Sequence, residues 1–324
     1  MKNILVTGGC GYVGSRLVPY LLSKGYKVSV LDSLIFGNNL TDFNFRLIKG
    51  DIRDKEKLNI ATKNIDTIIH LAAISNDPTA ELNPEITKEV NYDAVINLAE
   101  IAKKNNVKRL ILASSSTLYG YQGEDIVLKE GDKLNPLTLY GKYKAESEEA
   151  AFKFADDNFV VTALRPGTVA GFSLRQRFDL IVNIFTNNAV VNHKLRIDGG
   201  KQKRPIINIT DICRAYECMI LAESSKIQKE SFNVVGDNMT IEQIAKKVCE
   251  VIPNTTSYYV EVNDDRRSYF TSGDKIKNVL GFVPRFTVED SIRELEVKLK
   301  EGFFDNSIDN EKYFNIKFLK KLEG

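Results

Sequence analysis

The fold of this chain is decided by residues 3–14, which read NILVTGGCGYVG. Residues 3–7 form an apolar, β-branched run typical of a buried strand, and helical spacing of apolar residues begins at Val13. Glycines at positions 8, 11 and 14 allow a tight turn that brings backbone N–H groups, at the positive end of a helix dipole, against a phosphate. A glycine triplet alone also fits a simple turn, but its place between strand and helix predicts a dinucleotide site.

Further candidate cofactor residues lie at the ends of predicted strands. Asp32 ends the second strand, where a carboxylate accepts hydrogen bonds from both ribose hydroxyls of NAD and repels the 2′-phosphate of NADP. We therefore expect NAD as the cofactor. Asp51 follows the third strand and is equally a candidate helix N-cap. The predicted cofactor set from the glycine turn and strand ends is Gly8, Gly11, Tyr12, Val13, Gly14, Asp32, Asp51, Ile52, Leu71, Ala72 and Ala73.

Strands and helices alternate through the first half of the chain. Predicted strands cover residues 3–7, 27–32, 45–49, 67–71, 109–114 and 159–164, and predicted helices cover 13–23, 54–62, 86–105 and 138–157. Buried strands joined by helices imply parallel pairing with both sheet faces covered. Later helices at 178–187, 211–222, 241–251 and 288–300 are separated by shorter strands and loops. We predict an α/β fold, with a Rossmann-type doubly wound parallel sheet in residues 1–170. Residues 171–324 form a smaller C-terminal lobe, from which some elements return to the first domain.

The composition argues against several other classes of protein. Forty-five Lys and Arg against 43 Asp and Glu leave a net charge of +2, too near neutral for a partner held by nucleic-acid phosphates. No apolar run reaches the ~18–20 residues of a membrane span, and glycines and Arg16 interrupt any signal-peptide pattern. Four cysteines and two histidines show no metal-ligand spacing, so no metal is expected, and His70 is interpreted as packed. These features favour a cytoplasmic protein without a nucleic-acid or membrane partner.

The strongest chemical signal is the pair Tyr140 and Lys144. Four residues apart on a helix, their side chains lie on one face. A free phenol is a poor base at neutral pH, but an adjacent ammonium and the positive ring of an oxidised nicotinamide favour the phenolate. Three serines, residues 114–116, end the fifth predicted strand and offer a hydroxyl to a substrate oxygen. Each element alone is common, but together they predict that Tyr140 takes a hydroxyl proton while NAD takes a hydride.

Taken together, these motifs resemble the extended short-chain dehydrogenase/reductase family, specifically its NAD-dependent nucleotide-sugar epimerases and dehydratases. The resemblance covers almost the whole chain through TGGCGYVG, LDS, GDIRD, HLAA, VN, SSSTLYG, YGKYK, LRPGTVAG, KRPIINITDI and LGFVP. It implies catalytic roles for Ser115, Tyr140 and Lys144, the last two also beside the cofactor with Ser114 and Asn91. It further implies a C-terminal lobe that holds the nucleotide diphosphate of a sugar, and a homodimer formed through helices 86–105 and 138–157.

Departures from the family pattern narrow the expected reaction. Dehydratases carry an Asp-Glu pair where this chain has Ser116-Thr117, which argues against 4,6-dehydration. Epimerases commonly have Phe-Asn where this chain has Gly167-Thr168. Arginines after this segment are either a solvated face or a clamp for a diphosphate, whose oxygens match the guanidinium fork. The predicted substrate residues are Ser115, Ser116, Thr168, Arg175, Arg177, Arg204 and Arg267.

Three functions remain open from the sequence. The first is a nucleotide-sugar 4-epimerase that passes through a 4-keto intermediate and leaves NAD unchanged overall. The second is a 4-dehydrogenase or 4-ketoreductase that uses the same serine, tyrosine and lysine. The third is a non-catalytic NAD-binding regulator, which the presence of all three catalytic residues disfavours.

Overall fold

The structure is a computed structural model that describes residues 2–123, 126–261 and 268–323. Its strands are β1 (Asn3–Thr7), β2 (Lys27–Asp32), β3 (Arg46–Lys49), β4 (Thr67–His70), β5 (Arg109–Ala113), β6 (Val127–Leu128), β7 (Val160–Pro166), β8 (Thr168–Ala170), β9 (Lys194–Asp198), β10 (Lys203–Asn208), β11 (Ser231–Val234), β12 (Asp237–Thr240), β13 (Thr256–Val260) and β14 (Phe270–Thr271). Its α-helices are α1 (Gly14–Ser23), α2 (Lys55–Ala61), α3 (Asp77–Ala80), α4 (Pro84–Lys88), α5 (Ala94–Lys104), α6 (Leu139–Phe152), α7 (Ile181–Asn192), α8 (Ile209–Leu221), α9 (Ser224–Ile227), α10 (Ile241–Val251), α11 (Asp274–Leu280), α12 (Val288–Lys300) and α13 (Asn315–Glu323).

The central sheet has seven strands in the order β11-β7-β5-β4-β1-β2-β3, and every neighbouring pair is parallel. The predicted Rossmann-type doubly wound sheet is therefore confirmed. The chain leaves β1 toward β2 on one side and reaches β4 on the other. In such sheets the ligand crevice lies at the carboxyl ends of the strands where the winding direction reverses. That point is the carboxyl end of β1, where the glycine turn begins.

Apolar layers cover both faces of the sheet. Ile4, Leu5 and Val6 of β1 are fully buried, and alternate residues enter opposite layers because side chains alternate across a strand. Helices α1 and α8 contribute to the layer that contains Ile4, whereas α2, α5 and α6 contribute to the layer that contains Leu5. Burial on both faces explains why the strands are continuously apolar rather than alternating.

Several elements from β8 onward pack together as a second region, and others pack on the central sheet. Strands β8, β10 and β12 make a three-stranded sheet, and β9 pairs with β13 in parallel. Helices α7, α10 and α12 pack on one another beside them. Strand β11, by contrast, extends the central sheet next to β7. No helix in the described part of the chain is long and apolar enough to cross a membrane.

The predicted helix 86–105 is not one regular helix. The structure divides this stretch into the end of α4, a π-helical turn over Glu89–Asp93, and α5. A π-helical turn inserts an extra residue into the helical ladder, frequently next to a functional site. Its consequence is the placement of Asn91, described below.

Candidate functional site

A cavity of about 1310 Å³ opens at the carboxyl ends of β1, β2, β4 and β5. It reaches from the glycine turn to α7, β9 and β10 of the second region. The predicted site residues that line it are Gly8, Gly11, Tyr12, Val13, Gly14, Asp32, Asp51, Ile52, Leu71, Ala72, Ala73, Ser114, Ser115, Ser116, Tyr140, Lys144, Thr168, Arg175, Arg177 and Arg204. Of the other predicted residues, Asn91 does not line the cavity, and Arg267 lies outside the described residues.

The glycine turn is built from close backbone contacts. Gly8 has φ +70°, and a Cβ there would lie 2.6 Å from the backbone nitrogen of Ala72. A Cβ at Gly14 would lie 2.5 Å from the Cα of Gly9. Val13 is the N-cap of α1 and makes no side-chain cap, while the Ser15 and Arg16 N–H groups donate to the carbonyl oxygens of Gly11 and Val13. The turn lines the cavity, and together with the positive end of the helix dipole it fits the pyrophosphate of a dinucleotide.

Asp32 lies beside this turn, at the position predicted to bind the ribose hydroxyls of NAD. Its Oδ2 accepts a hydrogen bond of 2.9 Å from the Cys10 N–H, and its Oδ1 accepts one of 2.8 Å from the Leu34 N–H. Burial raises the pKa of Asp32, whereas these two hydrogen bonds lower it. The carboxylate is thereby fixed at the cavity wall with acceptor capacity left for ribose hydroxyls. The wall therefore fits NAD.

Asp51 is not the helix N-cap that the sequence allowed. The N-cap of α2 is Asp54, whose side chain accepts from the N–H groups of Glu56 and Lys57. Asp51 instead forms an ion pair of 2.8 Å with Arg53, which lowers the pKa of its carboxyl. It remains on the cavity wall, and its charge is compensated by that arginine.

Ser115, Tyr140 and Lys144 meet at the deep end of the cavity. The Lys144 Nζ lies 5.9 Å from the centre of the Tyr140 ring and donates a hydrogen bond of 2.7 Å to the Ala113 carbonyl oxygen. Burial lowers the pKa of Lys144 to about 8. Burial and the negative charge of Asp77 raise the pKa of Tyr140 to about 12, and a hydrogen bond with Ser115 opposes this shift. The surrounding protein groups thus hold Tyr140 as a neutral phenol.

Ser114 and Ser115, which are adjacent in the chain, differ in their hydrogen bonds. Ser115 accepts a 2.9 Å hydrogen bond from the Thr117 hydroxyl, while the buried Ser114 hydroxyl has no hydrogen-bond partner among the described residues. His70 is buried below with its Nδ1 2.7 Å from the Thr7 hydroxyl, and burial lowers its pKa to about 3. His70 does not line the cavity.

The Asn91 side chain hydrogen-bonds the backbone of a loop and does not line the cavity. Its Oδ1 accepts from the Ile74 N–H and its Nδ2 donates to the Ile74 carbonyl oxygen, both at 2.9 Å. The sequence placed Asn91 among the cofactor contacts. In the structure it lies behind the wall and secures the loop after β4 that continues from Ala73, because the π-helical turn aims its amide at that backbone.

The predicted arginines occupy different surroundings. Arg177 forms an ion pair of 2.8 Å with Asp179 and donates to the Ser75 hydroxyl at 3.2 Å. Arg175 packs on Phe36 with its Cζ 3.8 Å from the ring centre, and the negative charge of Asp32 attracts its guanidinium group. The sequence grouped Arg175 with the substrate residues. In the structure it lies on the cavity wall, where the charge of Asp32 acts on it.

Several wall residues were missed from the sequence. Asp77, the first residue of α3, follows β4 in the chain and accepts a 2.6 Å hydrogen bond from Thr138, the N-cap of the helix that carries Tyr140. Its position after a strand end is the signal that could have identified it. Phe36 follows β2 in the same way. Asn315 carries no such signal, because it approaches from the far end of the chain.

Comparison with known proteins agrees with this geometry. The model of the NAD dependent epimerase/dehydratase family matches residues 4–235. UDP-glucose 4-epimerase of Lactobacillus helveticus is 29% identical over 315 residues, covering 90% of this chain and 94% of that protein. The structure of UDP-glucose 4-epimerase with UDP-glucose from Thermotoga maritima has a TM-score of 0.84 at 26% identity and covers 93% of this chain and 100% of that one. MoeE5 in complex with UDP-glucuronic acid and NAD has a TM-score of 0.80 at 26% identity and covers 93% and 99%.

The chain belongs to the NAD dependent epimerase/dehydratase family, since the family model matches well over half of it. It is an NAD-dependent enzyme of the epimerase or dehydratase class. The predicted family and the predicted cofactor are thereby confirmed.

Proposed function

We propose that this enzyme is a nucleotide-sugar 4-epimerase that works through a 4-keto intermediate. The observation that carries the proposal is the convergence of Ser115, Tyr140 and Lys144 on one cavity that also contains the glycine turn. Its volume of about 1310 Å³ exceeds the roughly 300–1,000 Å³ of pockets for one drug-sized ligand. There is room for a second nucleotide beside the cofactor, and the similar epimerase from Thermotoga maritima holds UDP-glucose.

Each catalytic side chain has one task in this mechanism. Bound NAD supplies the acceptor, and later the donor, of the hydride at sugar C4. The Ser115 hydroxyl hydrogen-bonds the sugar O4, and the Tyr140 phenolate removes the O4 proton. Lys144 stabilises that phenolate by its charge. After the ketone has turned its other face to the cofactor, Tyr140 returns the proton to O4, so no external oxidant or reductant is consumed.

The residues after Ser115 support epimerisation over dehydration. Ser116 and Thr117 occupy a short 3₁₀ helix at the cavity, and the Thr117 hydroxyl donates to Ser115. Neither side chain has the carboxyl group that would remove water across C5–C6. The carboxylate that Asp77 brings to the wall belongs to α3 and accepts a hydrogen bond from Thr138.

The second candidate is a 4-dehydrogenase or 4-ketoreductase. Thr168, which stands where epimerases commonly have asparagine, is the observation that favours it. The experiment is incubation of the NAD-containing protein with a panel of nucleotide sugars, without added cofactor, and analysis of the products by chromatography. Interconversion of two C4 epimers supports the first candidate. Absorbance at 340 nm that rises by up to one NADH per bound NAD would support a 4-dehydrogenase, whereas a 4-ketoreductase would oxidise added NADH in the presence of a 4-keto nucleotide sugar. No conversion in either assay with NAD bound would leave a non-catalytic role.

We also propose that the enzyme is a homodimer formed through α5 and α6. Helix α6 packs on α5 and on the π-helical turn before it, where the rings of Tyr92 and Tyr143 have centres 6.5 Å apart. Both rings are half-buried, which leaves surface for a second copy. Light scattering of the eluting protein tests this, since the chain mass is 36.5 kDa and a dimer doubles it.

A further inference from the structure

The chain after α12 returns to the cavity and is anchored there by aromatic packing. Phe304, Tyr313 and Phe314 are buried in a cluster with Phe172 and Phe178. The Phe178 N–H also donates a 2.9 Å hydrogen bond to the Tyr313 carbonyl oxygen. These contacts fix the position at which α13 begins. We refer to residues 303–323 as the C-terminal strap.

Asn315, the first residue of α13, connects three separate parts of the cavity wall. It is 4% exposed. Its Oδ1 accepts a 2.6 Å hydrogen bond from the Arg175 Nη2, and its Nδ2 donates to the Ser75 hydroxyl at 3.2 Å. Its backbone N–H donates to the Asp179 carboxylate at 3.1 Å. One amide side chain of the strap therefore orients Arg175.

Arg175 is a buried cation with an unused donor. Its side chain lines the cavity, the residue is 4% exposed, and its Nε has no hydrogen-bond partner among the described residues. It forms no ion pair with Asp32 or Asp179 there, although the charges of both act on it. Burying a charge without a bonded counter-charge is costly, and the guanidinium fork matches phosphate oxygens. The surroundings of Arg175 therefore favour an anionic ligand in the cavity.

The strap also covers the place where the cofactor is expected. Phe36, in the loop after β2, packs between the Arg175 guanidinium at 3.8 Å and the Phe318 ring of α13 at 5.0 Å. Ser75 lies in the loop after β4. Because β2 and β4 flank β1 in the sheet, α13 contacts the loops on both sides of the carboxyl end of β1.

We propose that the C-terminal strap retains NAD and that Arg175, oriented by Asn315, binds the cofactor pyrophosphate. The substrate diphosphate offers the same chemistry, but the neighbours of Arg175 favour the cofactor. The Arg175 backbone N–H donates at 3.0 Å to the Ser15 hydroxyl, in the first turn of the helix that faces the pyrophosphate. The inference rests on the NAD dependence of the family and is independent of which sugar carbon reacts.

The test measures cofactor release without turnover. The holoenzyme is mixed with excess etheno-NAD, and the fluorescence change gives the rate at which NAD dissociates. Asn315→Ala and Phe318→Ala are the test variants, and Lys320→Ala, an exposed residue of the same helix, is the matched control. We expect at least about tenfold faster release in Asn315→Ala, the effect of losing one charge-assisted contact. Release is also expected to be faster in Phe318→Ala, which removes the ring that packs on Phe36. The control is expected to stay within about twofold of the parent protein.

A second measurement separates the two diphosphates. The affinity for UDP, measured by calorimetry on the NAD-loaded variants, is expected to remain within about twofold of the parent. Arg175→Lys keeps the charge but loses the fork, so its release rate is expected to lie between those of the parent and Arg175→Leu. An unchanged rate of NAD release in Asn315→Ala and Phe318→Ala would overturn the proposal that the C-terminal strap retains NAD. A fall in UDP affinity with unchanged release would overturn the assignment of Arg175 to the cofactor.

Discussion

Replacement of Tyr140 by phenylalanine removes one oxygen atom from the deep end of the cavity. The protein groups around it set its pKa at about 12, so at pH 8 they leave about one molecule in 10⁴ as phenolate. Burial and the negative charge of Asp77 cause this shift. The positive nicotinamide ring of bound NAD would therefore have to lower the pKa further for Tyr140 to act as a base. The substitution isolates that role.

The size of the expected effect follows from the task of the phenolate. General-base catalysis contributes about 10²–10⁴-fold, so we expect kcat to fall by about 10³-fold in Tyr140→Phe. Binding of NAD is expected to change by less than about tenfold, because the glycine turn and Asp32 are untouched. The fold is expected to survive, since the Tyr140 ring and its packing remain.

The assay is the rate of C4 epimer interconversion by the NAD-loaded variant, with NAD content measured on the same sample. Tyr143→Phe is the matched control, because Tyr143 lies on the same helix but not on the cavity wall. It is expected to retain nearly full activity. A loss below about tenfold in Tyr140→Phe, with NAD retained, would refute the role of Tyr140 as the base.

Three further substitutions test other parts of the site. Asp32→Ala removes charge-assisted hydrogen bonds of about 1.5–3 kcal/mol, so we expect calorimetry to show NAD binding weakened by about 10- to 150-fold. Discrimination against NADP is expected to fall as well. Equal NAD affinity in the variant and the parent protein would contradict this role of Asp32. Asp77→Asn removes the negative charge that raises the pKa of Tyr140, so the acid limb of the profile of kcat against pH is expected to move to lower pH. An acid limb at the same pH as in the parent protein would exclude that charge effect. Arg165→Leu leaves Glu148 buried without its ion-pair partner and is expected to lower the free energy of unfolding by about 3–5 kcal/mol in urea titrations, whereas a loss under about 1 kcal/mol would contradict the buried pair.

The sheet and its ligand edge could be predicted because their signals are local. The strands predicted at 3–7 and 27–32 have those bounds in the structure, since burial on both faces makes each an unbroken apolar run. The glycine turn and Asp32 then follow from strand ends alone. Tyr140 and Lys144 reach the same cavity because a four-residue spacing on α6 puts them on one face.

Other features of the site depend on contacts that no local pattern encodes. Helical periodicity does not distinguish a π-helical turn from an α-helix, so the backbone contact of Asn91 could not be foreseen. Arg175 and Arg177 are two residues apart, yet one contacts Phe36 and the other Asp179. Asn315 meets Arg175 across 140 positions of the chain. Only tertiary packing brings these side chains together.

The proposed chemistry requires that the hydrogen on C4 leaves as a hydride and returns to the same sugar. The most direct measurement uses the nucleotide sugar that the panel identifies as substrate, carrying deuterium at C4. The NAD-loaded enzyme converts it in ordinary water, and mass spectrometry follows the C4-inverted product. Full retention of deuterium in that product is the expected result. Product with hydrogen at C4 would show exchange with solvent and would contradict hydride return in a closed site.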